Sequence, residues 1–356
     1  PEGAARRVAE VMADLRLNEE PATLNAVLAM IDDAETQRYA TQAAAEVEAF
    51  RETLPVPAPE TEGGILVVAV DCKGVPMVRK ESDGPSKEGK RRRKGEKKTK
   101  KKMAAVAAVY SIDEHPRSAD DVVDETLRRE SDARRPKPRN KRVRAEMTRV
   151  DEGEEINGKD QALGWAKRET DARNPEARSG WGGKPVVCIL DGERGLWKRV
   201  IALFSLAVFI IDLYHVLESL YKAAHAMYGE GTAEARAMVE KHLRMLLEGK
   251  IGLVIGALKQ VRTKQGLRGG RRKTVEKVIG YLENNRSYMK YDEYLAAGYP
   301  IGSGVAEGAC RHLVKDRLEA TGMHWTVEGA QAMLDVRSTY LNGDWSAFAD
   351  FRADRV

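Results

Sequence analysis

The sequence predicts an α/β protein in which a mixed β-sheet is flanked by helices, with an N-terminal helical region and an all-helical insertion. Three observations favour this fold class. Short apolar runs of strand length alternate with segments in which apolar residues recur at helical spacing. One helical stretch, 215–285, carries almost no strand signal. The 356 residues are 42% hydrophobic, so the chain can bury a large core.

The first part of the chain predicts helices followed by three strands. Apolar residues recur at helical spacing over 1–54, and the proline-rich linker 55–64 ends this region. The apolar run 65–70 predicts a first strand, and 74–78 predicts a turn followed by a second short strand. After a basic loop, 103–110 predicts the third strand.

Two further strands are predicted in the middle of the chain. Residues 119–130 and 159–172 have helical patterns, whereas the polar segment 131–158 predicts no definite element. The apolar runs 186–190 and 204–211 predict two buried strands. Both strands are expected to end at an aspartate.

The last part is predicted to be helical. The stretch 215–285 is followed by the glycine-rich turn 300–304, a helix that begins near Glu307, and a helix over 327–341. Three early strands, a helix, two later strands and a closing helix follow the order of elements in an RNase H-like domain. We therefore expect that fold, divided into a helical N-terminal region at 1–60, a first part of the core at 61–212, an all-helical insertion at 213–298 and a closing part of the core at 299–356.

Positive charge is concentrated in two stretches of the chain. The net charge is only +5, but residues 87–102 contain eleven Lys or Arg, among them Arg91, Arg92 and Arg93, against two Glu. A second basic stretch covers 134–149. Such clusters favour binding to a polyanion through phosphate neutralisation and counterion release. The alternative is a solvated, disordered loop without a partner.

The cysteines and the apolar runs indicate the compartment. Cys72, Cys188 and Cys310 form no CxxC pair, which favours a reducing compartment and gives no zinc signature. The longest apolar run, 200–211, is shorter than the ~20 residues that span a bilayer. We expect a cytoplasmic protein that does not bind membranes.

Three acidic residues lie where a metal-dependent nuclease would need them. Asp71 and Asp191 each follow an apolar strand run, and Glu307 opens a helix. Carboxylates are the hard oxygen ligands that Mg²⁺ or Mn²⁺ prefers. Two such ions, roughly 3.5–4 Å apart, would activate the attacking oxygen and stabilise the leaving oxygen at a phosphodiester.

Each of these residues also has a structural interpretation. Polar residues commonly end buried strands, and a first-turn glutamate such as Glu307 can cap free amides at a helix start. Glu193 lies two residues beyond Asp191 and competes with it as a ligand. Asp212 and His215 either form a structural hydrogen bond or support the site. The order of two strand aspartates and one helix glutamate in a basic chain favours the metal site.

Cations near the acidic residues predict contacts with phosphates. Lys73 follows Asp71, and the helix that carries Glu307 continues through Arg311, Lys315 and Arg317. Phosphate contacts would position a duplex without reading its sequence. The alternative for the helix residues is a solvated face.

Several blocks of this sequence resemble one family. They are VAVDCKGVPM at 68–77, KKMAAVAAVY at 101–110, RPKPRNKRV at 135–143, LDGERGLW at 190–197, IDLYHVLE at 211–218, YPIGSGVAEG at 299–308, TGMHW at 321–325 and NGDW at 342–345. Over residues 64–350 the chain resembles bacterial insertion-sequence transposases of the ISKra type, a branch of the Asp-Asp-Glu transposases with an RNase H-like fold. The DLYH stretch is similar to the (C/D)xxH signature of related transposase groups.

The resemblance implies a function and site residues. It places the catalytic triad on Asp71, Asp191 and Glu307, and it implies cleavage at transposon ends followed by strand transfer into target DNA. It also implies Mg²⁺ or Mn²⁺ as cofactor, DNA as partner, a homo-oligomer on DNA and association with the nucleoid. The region before the core is shorter than is usual in the family, so we expect a truncated N-terminus. The alternatives are an RNase H-like nuclease or resolvase without strand transfer, and a non-catalytic nucleic-acid-binding protein.

Overall fold

A five-stranded mixed sheet forms the centre of the protein. The computed structural model describes residues 33–78, 101–127, 135–176, 182–320 and 322–355. The strands are β1 (Ile65–Pro76), β2 (Lys101–Ile112), β3 (Arg139–Met147), β4 (Arg149–Asp151), β5 (Glu154–Ile156), β6 (Val186–Leu190) and β7 (Val208–Ile211). The five-stranded sheet has the order β3-β2-β1-β6-β7, and β4 and β5 form a separate hairpin. The pairs among β1, β2 and β3 are antiparallel, whereas β6 runs parallel to β1 and β7 runs parallel to β6.

The early strands differ from the prediction in two ways. The turn expected at 74–78 is absent, because β1 pairs with β2 without interruption from Ile65 to Pro76. Gly74 lies inside this strand, where an added Cβ would come within 2.9 Å of the Lys101 side chain. The strand β3 lies in the polar segment 131–158, for which no definite element was predicted. Its buried residues Val143, Ala145 and Met147 alternate with arginines and a glutamate, a period of two that the polar composition obscured.

Helices cover both faces of the sheet. They are α1 (Asp33–Ala44), α2 (Val47–Thr53), α3 (Ala119–Thr126), α4 (Gly158–Arg173), α5 (Arg194–Leu203), α6 (Leu213–Tyr228), α7 (Ala233–Leu247), α8 (Ile251–Lys264), α9 (Gly269–Asn284), α10 (Tyr291–Ala296), α11 (Gly304–Ala309), α12 (Asp316–Leu318), α13 (Val327–Leu341) and α14 (Trp345–Ala353). A π-helical segment, Cys310–Lys315, joins α11 to α12. The predicted helices over 159–172 and 327–341 are confirmed, and the mixed α/β class with them.

Local capping residues explain where several helices begin. Ser118 and Asp121 form a reciprocal capping box at the start of α3. Asn157 accepts hydrogen bonds from Lys159 N and Asp160 N at the start of α4, and Thr232 caps α7 in the same way. Each cap satisfies amides that the helix itself leaves free.

The long helical stretch shares a hydrophobic core with the sheet. Every regular element within 213–298 is helical, as the apolar spacing predicts. The buried residues of α6, α7, α8 and α9 belong to the same cluster as those of β1, β6 and β7. A second cluster on the other side of the sheet joins β2 and β3 to α13 and to the π-helical segment. The division into domains stays a prediction.

A buried ion pair ties the linker before β1 to α4. The Arg173 side chain is fully buried and donates through Nε and Nη2 to the two Glu62 carboxylate oxygens, each at 2.8 Å. Arg173 also donates to Asn140 O at 3.0 Å. These contacts therefore join the linker before β1, helix α4 and the start of β3.

None of the helices in the described ranges is long and apolar enough to cross a membrane.

Candidate functional site

Three aspartates lie in one row at an edge of the sheet. Val70, Leu190 and Ile211 are register partners on the parallel strands β1, β6 and β7. Asp71, Asp191 and Asp212 are the next residue on each chain. Neighbouring strands are about 4.7–4.9 Å apart, so the three aspartates lie side by side. The expectation that Asp71 and Asp191 occupy adjacent strands is confirmed, although β1 continues beyond Asp71 instead of ending there.

Asp212 is the most enclosed residue of the row. Its side chain is fully buried and accepts hydrogen bonds from Tyr214 N at 2.9 Å and from the Ser303 hydroxyl. His215 Nδ1 lies 3.1 Å from Asp212 Oδ2. The residue therefore caps α6 and also holds His215 and the 300–304 turn in place. The structural hydrogen bond between Asp212 and His215 is confirmed, and their support of a catalytic site stays a prediction.

Glu307 comes to this row from the far end of the chain. One potential metal-ligating atom each of Asp212, His215 and Glu307 lie within 4.8 Å of one another. No side chain caps the start of α11, so Glu307 does not have the capping role considered for it. Three residues further on, the Cys310 thiol donates to Asp71 Oδ2 at 3.4 Å. The helix segment 304–315 thus runs past both Asp71 and Asp212.

The cluster is strongly acidic, and the charged side chain of His215 lies within it. Burial raises the pKa of Asp191, and the nearby charge of Asp71 raises it further. Burial also raises the pKa of Glu307, and the charges of Asp212 and Asp71 add to this effect. The hydrogen bond to Asp212 raises the pKa of His215 to about 9. His215 is therefore an imidazolium at neutral pH and offsets part of the negative charge.

The π-helical segment after Glu307 is held by a buried arginine. Arg337 of α13 donates through Nε to His312 O and Leu313 O, each at 3.1 Å. A π turn leaves carbonyls without their usual partners, and such turns occur frequently at functional sites. Arg337 is 6% exposed, and burial lowers its pKa to about 10. No local sequence pattern predicts this role of Arg337, because its partners His312 and Leu313 lie 25 and 24 residues away.

The Asp191 turn is braced by residues of the helical stretch. Trp197 Nε1 donates to Asp191 O at 2.6 Å, and the Trp197 ring stacks on Tyr288 with centroids 4.4 Å apart. Tyr281 of α9 packs against Gly192 so closely that an added Cβ would lie 2.4 Å from its ring. Trp197 in α5, Tyr281 in α9 and Tyr288 just after α9 therefore hold the Asp191 turn in position, and no local sequence pattern predicts these contacts.

Glu193 has a structural role in this turn. Its carboxylate accepts hydrogen bonds from Gly195 N and Leu196 N, each at 2.9 Å, and caps α5. It also pairs with Lys159 Nζ at 2.5 Å. Burial opposes ionisation, but the bonds from Lys159 and the backbone outweigh it and lower the pKa of Glu193. As a ligand it would have to give up these partners, so it is a weaker candidate than Asp191.

The cations predicted to contact phosphates differ in their exposure to solvent. Arg311 and Lys315 are exposed, with 71% of the Arg311 side chain accessible, and Lys73 Nζ lies 3.9 Å from Glu319. Arg317 contradicts the prediction, because it is 4% exposed and its guanidinium lies 5.8 Å from the Trp325 ring centre. The helix turns its side chain into the core, which disfavours a phosphate contact. Arg91, Arg92 and Arg93 lie outside the described residues.

Carboxylates suit a hard divalent cation, but the residues whose potential ligand atoms lie within 4.8 Å of one another are Asp212, His215 and Glu307, and not the predicted set Asp71, Asp191 and Glu307. Asp71, Asp191 and Glu307 offer carboxylate oxygens, which suit Mg²⁺ and Mn²⁺. Burial is the main cause of the raised pKa values of Asp191 and Glu307, and the neighbouring carboxylates add to it. His215 is protonated at neutral pH and is hydrogen-bonded to Asp212 through Nδ1, so in that state it cannot act as a metal ligand.

Comparison with known proteins adds no assignment to this geometry. No known family model matches the chain, and no curated protein matches it significantly.

We expect Gly192→Ala to displace the Asp191 turn, although the substitution adds only one methyl group. The new methyl group would overlap the Tyr281 ring, and overpacking of this kind costs about 1–3 kcal/mol. Relief of the overlap would move the Asp191 turn, so a cleavage activity that depends on Asp191 would fall while the fold persists. Urea unfolding and a DNA cleavage assay measure the two effects.

Gly280→Ala is the matched control for this change. Gly280 lies in α9, and an added Cβ there meets nothing within 4 Å. Alanine in a helix interior is favoured over glycine, so stability should stay equal or rise. Wild-type cleavage by Gly192→Ala would show that the contact with Tyr281 does not position Asp191.

Proposed function

We propose that this chain is a metal-dependent DNA transposase with an RNase H-like catalytic core. The observation that carries the proposal is the row of Asp71, Asp191 and Asp212 on three parallel strands, with Glu307 brought beside it by a helix from the closing part of the chain. The basic runs of the sequence supply the affinity for DNA, its proposed partner. The protein would act as a homo-oligomer on transposon ends.

The strand order supports the RNase H-like part of the proposal. Three antiparallel strands are followed by two parallel ones, and the first strand lies at the centre of the sheet. This order places the ends of the central strands next to each other, although 120 residues separate Asp71 from Asp191. It is also the arrangement that the sequence resemblance implies.

The residues divide into ligands and positioning groups. Asp71, Asp191 and Glu307 would hold Mg²⁺ or Mn²⁺, two ions in the proposed state. Bound divalent ions activate the attacking oxygen and stabilise the leaving oxygen of a phosphodiester. Asp212 orients His215, whose charged imidazole would donate to an oxygen of the substrate phosphate.

The same residues would serve cleavage and strand transfer. Both reactions replace one oxygen at phosphorus by another, first with water and then with a 3′ hydroxyl as nucleophile. Activation of either nucleophile requires the same thing, a bound divalent ion beside the attacking oxygen. One site is therefore sufficient for the two steps.

A supercoiled-plasmid assay tests the proposal. DNA that carries the element's own terminal repeats would be incubated with the protein, Mg²⁺ and a target plasmid. We expect cleavage at the repeats and joined products. Nicks without joined products would favour a nuclease or resolvase, and metal-independent binding without any cleavage would favour a non-catalytic binding protein.

The basic run 87–102 is expected to contribute to DNA binding. Most of it lies outside the described residues, but it connects β1 to β2, and β1 carries Asp71. Replacement of its eleven cations by Gln should weaken binding at least tenfold and flatten the dependence of log affinity on log salt by about one unit per lost phosphate contact. Binding titrations at several salt concentrations measure the slope, and an unchanged slope would identify the run as a solvated loop.

A further inference from the structure

A strongly basic surface lies at the tip of the helical hairpin formed by α8 and α9. This α8–α9 tip, residues 259–277, contains eight Lys or Arg and one acidic residue, Glu276, so its net charge is +7. The net charge of the whole chain is +5, so all other residues together carry −2. The tip is therefore a third concentration of positive charge, separate in sequence from the basic stretches 87–102 and 134–149.

The turn at the tip has a defined structure. Gly266 has a φ of +58°, and its N donates to Thr263 O at 3.3 Å. Leu267 N donates to Arg262 O at 3.4 Å. These two bonds form the pattern that ends a helix at a left-handed glycine. Leu267 is 8% exposed and belongs to the core cluster that α9 shares with the sheet, so the turn is anchored to the protein interior.

Half of the cations at the tip are free to bind a partner. Four of them are exposed and form no ion pair within the ranges that the structure describes: Lys264, Arg268, Lys273 and Lys277. Lys273 and Lys277 are four residues apart, so they lie on one face of α9. Val275, Val278 and Ile279 are buried on the other side of the helix. The outer face of α9 therefore presents positive charge to solvent.

The other four cations have local partners, but the surface stays positive. The pairs are Lys259 with Glu283, Arg262 and Arg272 with Glu276, and Arg271 with the carbonyls of Ala226 and Met227 at the end of α6. Glu230 lies in the turn after α6 and adds a negative charge near Arg271. With these three glutamates included, eight cations stand against three acidic side chains.

The charges at the tip do not serve the stability of α9. Arg268 is the N-cap residue, its side chain forms no capping bond, and the first turn contains no acidic residue. Negative charge stabilises the start of a helix and positive charge opposes it, and like charges four residues apart, such as Lys273 and Lys277, repel each other. The helix itself therefore gives no reason for these cations, whereas an anionic partner does.

Helix α9 connects the tip to the Asp191 turn. Tyr281, near its end, packs against Gly192, the residue after Asp191. From Gly269 to Tyr281 the helix advances twelve residues, which is about 18 Å at about 1.5 Å per residue. This distance corresponds to about five base pairs of duplex DNA. DNA that occupies the proposed catalytic site can therefore also reach the tip.

We propose that the α8–α9 tip binds the phosphate backbone of duplex DNA beside the catalytic site, about five base pairs from the cleaved bond. The inference rests on the proposed function, because the acidic row is what calls for DNA. Lys and Arg neutralise phosphates and release counterions, and such contacts position a duplex without reading its sequence. A membrane is a poorer fit, because membrane-surface helices combine cations with exposed Trp, Phe or Leu. None of residues 259–277, all of which the structure describes, is a large exposed hydrophobic residue.

Binding titrations of the full chain in EDTA test the inference, because DNA stays uncut without a divalent ion. The probe is a linear duplex of about 30 base pairs, about 100 Å long, at several salt concentrations. The double variant Lys273→Gln, Lys277→Gln should bind about tenfold more weakly. The slope of log affinity against log salt should flatten by about 1.8, or about 0.9 for each lost phosphate contact. Gln and Lys have similar helix propensities, so circular dichroism should show an unchanged fold.

The double variant Lys250→Gln, Lys290→Gln is the matched control. Both lysines are exposed, and they lie at the opposite end of the hairpin, where Gly249 packs against Asp292. This variant removes the same charge and should change neither affinity nor slope. The variant Lys273→Arg, Lys277→Arg keeps the charge at the tip and should bind as the wild type does.

Other results would overturn the inference. Equal binding by the Lys273→Gln, Lys277→Gln variant and the control variant would exclude the tip as a DNA contact, and the plasmid assay would still decide the proposed catalysis. A larger loss of affinity for duplex RNA than for DNA, or a loss confined to vesicles of phosphatidylserine and phosphatidylcholine, would assign the tip to another partner. Weakened DNA binding by the tip variant, with no cleavage by the wild type in Mg²⁺, would support this inference and refute the proposed catalysis.

Discussion

Asp191→Asn should abolish DNA cleavage and strand transfer while the fold is retained. The substitution keeps the size of the side chain but removes one negative ligand from the centre of the aspartate row. Loss of several kcal/mol of stabilisation at the transition state corresponds to a rate reduction of roughly 10³-fold. The plasmid assay with Mg²⁺ measures both reactions, and both should be lost together if one site performs them, as proposed.

Stability and DNA binding separate this effect from damage to the fold. Burial and the charge of Asp71 raise the pKa of Asp191 in the metal-free protein, so removal of its charge should leave the free energy of unfolding equal or higher. DNA affinity, which depends on Lys and Arg, should change little. Cleavage at near the wild-type rate would refute the metal-carboxylate mechanism. Joint loss of binding and cleavage would favour the non-catalytic alternative.

Glu62→Gln should lower the free energy of unfolding by about 3 kcal/mol. The substitution leaves the fully buried Arg173 without the carboxylate that accepts two of its hydrogen bonds, and removing one partner of a buried pair costs about 3–5 kcal/mol. Glu169, with Oε1 at 3.6 Å from Arg173 Nη1, compensates in part, which favours the lower end of that range. Urea unfolding should show a lower midpoint with an unchanged slope.

The effect of Glu62→Gln should depend on pH in one direction. Burial opposes ionisation of Glu62, but the hydrogen bonds from Arg173 and Ser111 outweigh it, so its pKa is lowered from 4.5 in the folded protein. A lowered folded pKa stabilises the fold above pH 4.5, and this contribution is lost as the pH falls through the folded value. The difference in the free energy of unfolding between wild type and Glu62→Gln should therefore be largest at pH 7 and become smaller below pH 4.5.

Glu276→Gln provides the control for the buried pair. Glu276 pairs with Arg272 and Arg262 on an exposed helix surface, where ion pairs contribute little. Its unfolding midpoint should match that of the wild type. An equal loss of stability in both variants would mean that general charge, and not the buried pair, determines the effect of Glu62→Gln.

Two features of the site show how far sequence reasoning extends. Asp71 and Asp191 could be identified because each follows an apolar run of strand length, and such runs are local properties of the chain. Asp212 was predicted only to support the site, yet the register places it in the same row. Register depends on which strands pair, and strands distant in sequence choose their partners through the packing of the whole sheet.

Arg317 and β3 are two further cases in which the local sequence does not predict the structure. Arg317 has the sequence of an exposed helix cation, but the π-helical segment and the Trp325 ring place it in the interior. The strand β3 has the composition of a loop, but its arginines are paired with acidic side chains, among them Arg144 with Glu48 and Glu146. In both cases a tertiary partner outweighs the local preference.

The sequence by itself determined the mixed α/β class, most helix and strand positions, and the acidic and basic residues from which a metal site on a nucleic-acid-binding protein could be predicted. These properties depend on hydrophobic period and residue chemistry, which short segments carry. Only the tertiary structure decided that Asp71, Asp191 and Asp212 form one row, that Glu307 joins Asp212 and His215, and that Tyr281 and Trp197 brace the Asp191 turn. Those contacts join residues far apart in the chain, and they form because strand register and helix packing are fixed by burial of the whole core.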